Sequence, residues 1–307
     1  MAAAAAPATA SLGRAELELM AAELEASPDF RVLRRLEPRD VITPADGTPT
    51  RRAVFLDLET TGLDAARDEI IEIAMVPFTY GPDGRIFEIG EAYASLREPS
   101  IPIPPEISAL TGIDDAMVEG KAVDLDAVRA MAAGAAVIVA HNAAFDRPFA
   151  ERLDGIFETR PWACSMSQVP WAEEGFEGTK LGYLAARQGF FFDGHRAVDD
   201  CRAAIELLAR RQPASGSIAM QQLLDAARRP SWRIWAEGTP FELKDRLKAR
   251  RYRWNGDANG KPRAWFVDVP DERRDEELAF LRAEIYGREV EPWACRITAQ
   301  NRFSDRV

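Results

Sequence analysis

The stretch Ala53-Val54-Phe55-Leu56-Asp57-Leu58-Glu59-Thr60-Thr61-Gly62 sets two carboxylates inside an apolar run that otherwise reads as a buried strand. Side chains alternate along a strand, so Val54, Leu56 and Leu58 point to one face while Phe55, Asp57 and Glu59 share the other. Two carboxylates side by side out of water repel each other, and one takes up a proton unless a cation compensates them. A hard divalent metal is the simplest such cation, and further acids are needed to complete its shell.

Two other segments supply acids. The run Ala135-Ala136-Val137-Ile138-Val139 reads as a second buried strand, followed by His141-Asn142-Ala143-Ala144-Phe145-Asp146 and a helix to about Leu153. On that helix Asp146 shares a face with Phe149, Ala150 and Leu153, while the same spacing turns Arg147, Glu151 and Asp154 outward. Gly194-His195-Arg196-Ala197-Val198-Asp199-Asp200 opens another helix that runs through Leu208. Ala204, Leu207 and Leu208 lie four, seven and eight residues beyond Asp200, which puts Asp200 on the packed face. Asp199 aligns instead with Arg202, Glu206 and Arg210.

Asp57-Leu-Glu59-Thr-Thr-Gly, Asn142-Ala-Ala-Phe-Asp146 and His195 with Asp200 five residues on resemble the three motifs of the DEDDh 3′-to-5′ exonucleases. The similarity is greatest to the epsilon proofreading subunit of bacterial DNA polymerase III and its relatives, and Pro105–Ile113 with Met117-Val118 adds to it. It covers about residues 51–212. Asp114 departs from the family pattern, as does Trp162-Ala-Cys164; neither touches the five catalytic positions. The resemblance implies a ribonuclease-H-like mixed α/β sheet flanked by helices, and two Mg²⁺ or Mn²⁺ ions. In the family's scheme Asp57 bridges both ions, Glu59 and Asp200 complete one site, and Asp146 holds the second. His195 takes the proton from the attacking water, a task suited to an imidazole that is mostly neutral at pH 7. Thr60 and Leu63 meet the strand end. His141 and Asn142 orient the loop that carries Asp146, and Asn142 is also placed among the substrate contacts.

Composition bounds what remains. The chain has 307 residues, 47% of them apolar, enough for two domains with a sizeable core. Three scattered cysteines, Cys164, Cys201 and Cys295, indicate neither a disulfide framework nor a zinc site and fit a reducing cytoplasm. No apolar run is long enough to span a membrane. Net charge is −11, yet Arg228–Arg263 holds eleven Lys and Arg against four Asp and Glu, so that segment carries +7 and the rest −18. Five of the seven Trp lie between residues 230 and 293. Rings interleaved with cations suit a nucleic-acid strand, and Lys248, Arg250, Arg251 and Arg253 are the candidate contacts; most of the Trp are expected in the core of this small domain.

The expected organisation is a tail and helical extension over 1–50, with Leu17, Met20 and Leu24 on one side of a helix over 14–26. The exonuclease domain follows over 51–212, a linker and helix over 213–229, and a small basic, aromatic α+β domain over 230–307. The expected activity is removal of nucleoside monophosphates from the 3′ end of DNA, single-stranded or frayed, in proofreading or repair. Its partners would be nucleic acid and a polymerase or repair protein. The alternatives are an exoribonuclease that trims RNA ends, since the same residues serve both sugars, and a non-catalytic binding module, against which the intact set of four acids and His195 argues.

Overall fold

The computed structural model describes residues 12–256 and 260–307; most of the expected N-terminal tail, residues 1–11, lies outside them. Along the chain come α1 (Arg14–Glu25), β1 (Arg34–Arg35), β2 (Arg51–Thr60), β3 (Ile70–Tyr80), β4 (Ile86–Ile89) and β5 (Tyr93–Leu96). Then follow α2 (Pro105–Thr111), α3 (Asp115–Val118), α4 (Leu125–Ala133), β6 (Val137–Ala140), α5 (Ala143–Leu153), β7 (Trp162–Cys164), α6 (Leu181–Arg187) and β8 (Phe190–Phe191). The rest comprises α7 (Ala197–Ala209), α8 (Ala219–Arg228), β9 (Ser231–Ala236), α9 (Lys244–Ala249), β10 (Arg253–Trp254), β11 (Trp265–Pro270), α10 (Arg274–Phe280) and β12 (Ala294–Ile297). No described helix is long and apolar enough to cross a membrane.

β2 is the centre of a mixed sheet because both of its faces are apolar. It pairs antiparallel with β3 and parallel with β6, and the order runs β4-β3-β2-β6-β7 with β5 also on β3. Phe55 faces a core shared with α7 and α8, through Cys201, Ala204, Leu208 and Leu223. Val54, Leu56 and Leu58 face the opposite core, closed by Val128 and Ala132 of α4 and Phe149 and Ala150 of α5. The expected alternation along 53–59 is therefore observed. A turn at Gly81–Gly84 joins β3 to β4, with Gly84 N–H donating to Gly81 O at 3.0 Å and Gly81 N–H to Arg85 O at 2.9 Å.

Residues 213–229 are packed, not a free tether. Met220, Leu223, Leu224 and Ala227 form a helical stripe that fills the core of the large sheet, and the preceding Pro/Gly/Ser turn is pinned where Ala214 and Ser215 N–H donate to Glu174 at 3.0 Å. The α1 helix forms where expected. Leu17, Met20 and Leu24 remain exposed, because the helix is held through its charged side, Arg34 reaching Glu18 at 3.0 Å and Glu25 at 2.6 Å.

Beyond α8 a four-stranded antiparallel sheet, ordered β10-β11-β9-β12, packs α9 and α10 around Ile234, Leu247, Val267, Val269 and Leu278. Three of its five Trp join or line buried groups, Trp232, Trp235 and Trp265, while Trp254 and Trp293 are exposed. The segment after β12 returns to the large sheet. Trp162 of the edge strand β7 donates its N–H to Ala299 O at 2.7 Å, and Arg147 donates to Arg302 O at 2.7 Å, Gln300 O at 2.6 Å and Glu151 at 2.7 Å. Ser304 and Arg306 close over the same Glu151. Arg147 is therefore fully buried rather than outward-facing: the helical period is as expected, and the surface it points to is covered by residues 299–306.

Removing the Arg147 guanidinium takes a donor from the Gln300 and Arg302 carbonyls and from the Glu151 carboxylate. Arg147→Met is expected to cost about 3 kcal/mol, lowering Tm by about 6–12 °C for a unit of this size. Deleting residues 299–307 in addition should cost less than the sum of the two separate changes, because both break one network; thermal melts of the four proteins check this.

Candidate active site

Asp57 and Glu59 lie on the α7-facing side of β2, and Glu59 stands directly opposite Glu72 of β3. The register shifts between Glu59 and Thr60, which ends regular pairing and starts the loop. Thr60 is buried, and its hydroxyl donates to Gly62 O at 2.6 Å. A Cβ at Gly62 would sit 2.5 Å from the Asp68 carboxylate, which is why the turn closes on glycine. Asp68 in turn accepts Asp64 N–H at 2.8 Å. This tight loop throws Leu63 into solvent, 86% exposed. Leu63 and Asn142 line one cavity of about 440 Å³ with Phe145, Phe149 and Asp305.

α7 delivers Asp200 to the same place. Its first turn is held by two carboxylates: Asp200 accepts Arg196 N–H at 3.1 Å and Glu72 accepts Ala197 N–H at 3.2 Å. Glu72 also receives the Arg196 guanidinium at 3.3 Å. Acids at a helix N-terminus meet unpaired N–H groups and the positive end of the helix dipole. Just before this turn, His195 adopts a left-handed backbone, φ 64°, and its ring is exposed.

α5 brings Asp146 from the opposite core. The side chain is buried and takes a hydrogen bond from the backbone of Leu58. Asn142 caps the helix in a left-handed conformation, φ 88°. His141 is fixed at both nitrogens, Nε2 donating to Thr179 O at 2.7 Å and Nδ1 accepting from the Ser165 hydroxyl at 2.8 Å. Burial pushes its pKa down, so it stays neutral.

Carboxylate oxygens of Asp57, Glu59 and Asp200 lie within 4.8 Å of one another, a set able to hold a metal ion. Burial, then the neighbouring carboxylates Asp146, Asp200 and Glu59, raises the Asp57 pKa well above the usual range. Burial does the same to Asp146. Glu59 is pushed up to about 7 by burial and by Asp200 and Glu72, and Asp200 to about 6 by burial. The acids expected together are together, with Asp146 behind the other three.

Residues 54–208 match the RNase_T family model, described as exonuclease. The chain belongs to this exonuclease family. A DNA polymerase III PolC-type protein of Clostridium perfringens is 34% identical over 161 residues, half of this chain and 11% of its own length. A DNA polymerase III subunit epsilon of Treponema pallidum is 32% identical over 160 residues, 49% of this chain and 72% of the relative. Among solved structures, exonuclease X in complex with 5′ overhanging duplex DNA is 26% identical, with a TM-score of 0.40, covering 55% of this chain and 99% of its own. The chain thus matches a small part of the long polymerase and most of the epsilon subunit.

The parts played by two residues were not drawn from the sequence. Glu72 is an acid in the apolar run Ile70–Val76, the same signal that marks Asp57, and it was legible there. Arg147 was not. In the small domain the candidate contacts divide: Arg250 is taken up by Glu276 and Glu277 at 3.0 and 2.8 Å and Arg253 by Asp268 at 3.1 Å, while Lys248 and Arg251 form no ion pair among the described residues.

The raised acids set a pH dependence. In the unfolded exonuclease Glu and Asp lose their protons near 4.5 and 3.8, but folded Glu59 and Asp200 keep them to about 7 and about 6. Between these values the folded state binds more protons, so stability falls as pH rises from about 4.5 through about 7. In a chelator, Tm is expected to decline across this window and Glu59→Gln to flatten the decline. A wild-type Tm that climbs there would contradict the crowding of these acids.

Proposed function

We propose that this exonuclease hydrolyses phosphodiesters from the 3′ end of DNA, single-stranded or frayed, and releases nucleoside monophosphates in proofreading or repair. The observation that carries the reading is the convergence of Asp57, Glu59 and Asp200 within 4.8 Å, with burial holding each carboxyl above its ordinary pKa. Such a cluster calls for positive charge.

The donor set fits Mg²⁺ or Mn²⁺, since all its ligands are hard carboxylate oxygens with no Cys or His among them. Asp57, Glu59 and Asp200 would hold one ion, and Asp57 with Asp146 a second. Such ions supply charge stabilisation for the attacking and departing oxygens of the phosphate. The protein's own parts do the rest. His195, in the exposed loop that Asp200 ties down through Arg196 N–H, accepts the proton of the attacking water at a ring nitrogen. Leu63 wedges beside the last base, and the Thr60 backbone meets the terminal 3′-OH. The names of the relatives, DNA polymerase III chains, support DNA as substrate and a polymerase or repair protein as partner.

Asp57→Ala and Asp200→Ala are each expected to reduce hydrolysis by about 10³-fold or more without unfolding, because removing a carboxylate relieves repulsion as it destroys an ion site. Asp199→Ala, on the outer face of α7, should cost little. His195→Ala should lose about 10²–10⁴-fold in rate with strand binding nearly unchanged. Full activity in Asp57→Ala overturns the mechanism. A strand labelled at its 5′ end should shorten stepwise while a 3′ label leaves at once as mononucleotide; the reverse pattern refutes the direction. DNA and RNA run in parallel decide the sugar.

A further inference from the structure

We propose that the small sheet domain carries a second nucleic-acid station, for single strands, built of Phe241, Lys244, Lys248, Trp254 and Trp265. It rests on the reading above that nucleic acid is the substrate, and places a binding surface outside the acid cluster.

The cations of α9 and its flanks are sorted by partner. Arg246 pairs with Glu284 at 2.8 Å, and Arg250 with Glu276 and Glu277. Lys244 and Lys248, one turn apart on the helix, have no acid among the described residues and sit against rings instead. Lys244 Nζ is 3.6 Å from the centroid of Phe241, and Lys248 Nζ is 5.9 Å from that of Trp265. Trp265 meets Trp254 across the β10–β11 pair, centroids 5.7 Å apart and nearly edge-on. Arg251, just past the helix, is likewise exposed and outside the ion pairs.

Phe241 is 72% exposed and Trp254 54%. Two large rings left in water, Phe241 beside Lys244 and Trp254 against the Trp265 ring that Lys248 approaches, are not explained by packing, since the core of this domain is already filled by Leu247, Tyr252, Val267 and Leu278. Cation–π contacts at exposed sites are weak, and no described cation stands over Trp254, so those contacts do not account for its exposure. A ligand that is flat and anionic matches both features at once. Bases stack on rings while phosphates meet Lys and Arg, and a duplex hides the base faces such rings need. The chemistry recognised is thus an unpaired strand, read without sequence preference.

The test is equilibrium binding of a fluorescein-labelled oligothymidylate of about 16 nucleotides to the full chain in EDTA, as a function of salt. Lys244→Ala/Lys248→Ala should lower the slope of log affinity against log salt by about 1.4, two single-strand phosphate contacts. Trp254→Ala should weaken binding about 10-fold and remove part of the quenching of intrinsic Trp fluorescence; Trp254→Leu, which keeps apolar bulk, should do the same. Arg246→Ala removes one positive charge from the same helix and should change neither quantity. An unchanged slope in the double Lys variant overturns the proposal. So does an equal loss in Arg246→Ala, or polyglutamate displacing the strand at equal charge, which assigns the face to acidic protein. Chelation separates binding from hydrolysis: wild-type protein that binds here yet releases no nucleotide with Mg²⁺ refutes the exonuclease proposal and leaves this station standing, and hydrolysis without this binding does the reverse.

Discussion

The mutual repulsion of the acids around Asp57 is the constraint to which the rest of the structure answers. Two carboxylates 4.8 Å apart cost about 3–4 kcal/mol at an effective dielectric of about 20, and here three are gathered with Asp146 and Glu72 close behind. The first turn of α7 offers N–H groups to Asp200 and Glu72, but such contacts are worth about 1–2 kcal/mol and do not offset the whole. What prevents the acids from drifting apart is rigidity. They are mounted on four packed elements, Asp57 and Glu59 on β2, Glu72 on β3, Asp146 on α5 and Asp200 on α7, and both faces of β2 are packed. The fold stores the repulsion and leaves its relief to protons or a cation.

Much of this was readable from residue spacing. The alternation in Val54–Glu59 was legible because both faces of β2 are buried, and the helical period distinguished Asp200 from Asp199 because α7 packs on a single stripe. Spacing says nothing about what covers an outer face. Arg147 and Glu151 fall on the polar side of α5, yet Arg147 is fully buried and Glu151 half-buried, since their cover lies 152 or more residues away in sequence. The same limit explains α8, expected only as a linker and helix yet packed into the large core, and α1, which is held by ion pairs to Arg34 rather than by its apolar residues. Among the small domain's arginines, the charge count was legible but the sorting was not, because Glu276, Glu277 and Glu284 that neutralise Arg250 and Arg246 come from α10 and the turn beyond it.

The two sheets are joined twice. Leaving the large sheet, α8 fills its core before β9 begins; coming back, Arg302 donates to Ala227 O at 3.0 Å and to Arg229 O at 2.6 Å, binding the returning segment to the end of α8. The small domain is therefore held at both its entry and its exit, and its cationic face is carried at a fixed station relative to the acids instead of on a tether.

The return of residues 299–306 to α5 also bears on how the protein comes into being. Arg147 waits for carbonyls made 152–155 residues later, an interval on the order of ten seconds or more at ribosomal speed. During that time a guanidinium meant for the interior is open to water, and the edge strand β7 lacks its neighbour at Trp162. Vectorial synthesis thus leaves the helix that bears Asp146 uncovered until the small sheet and residues 299–302 behind it have been made.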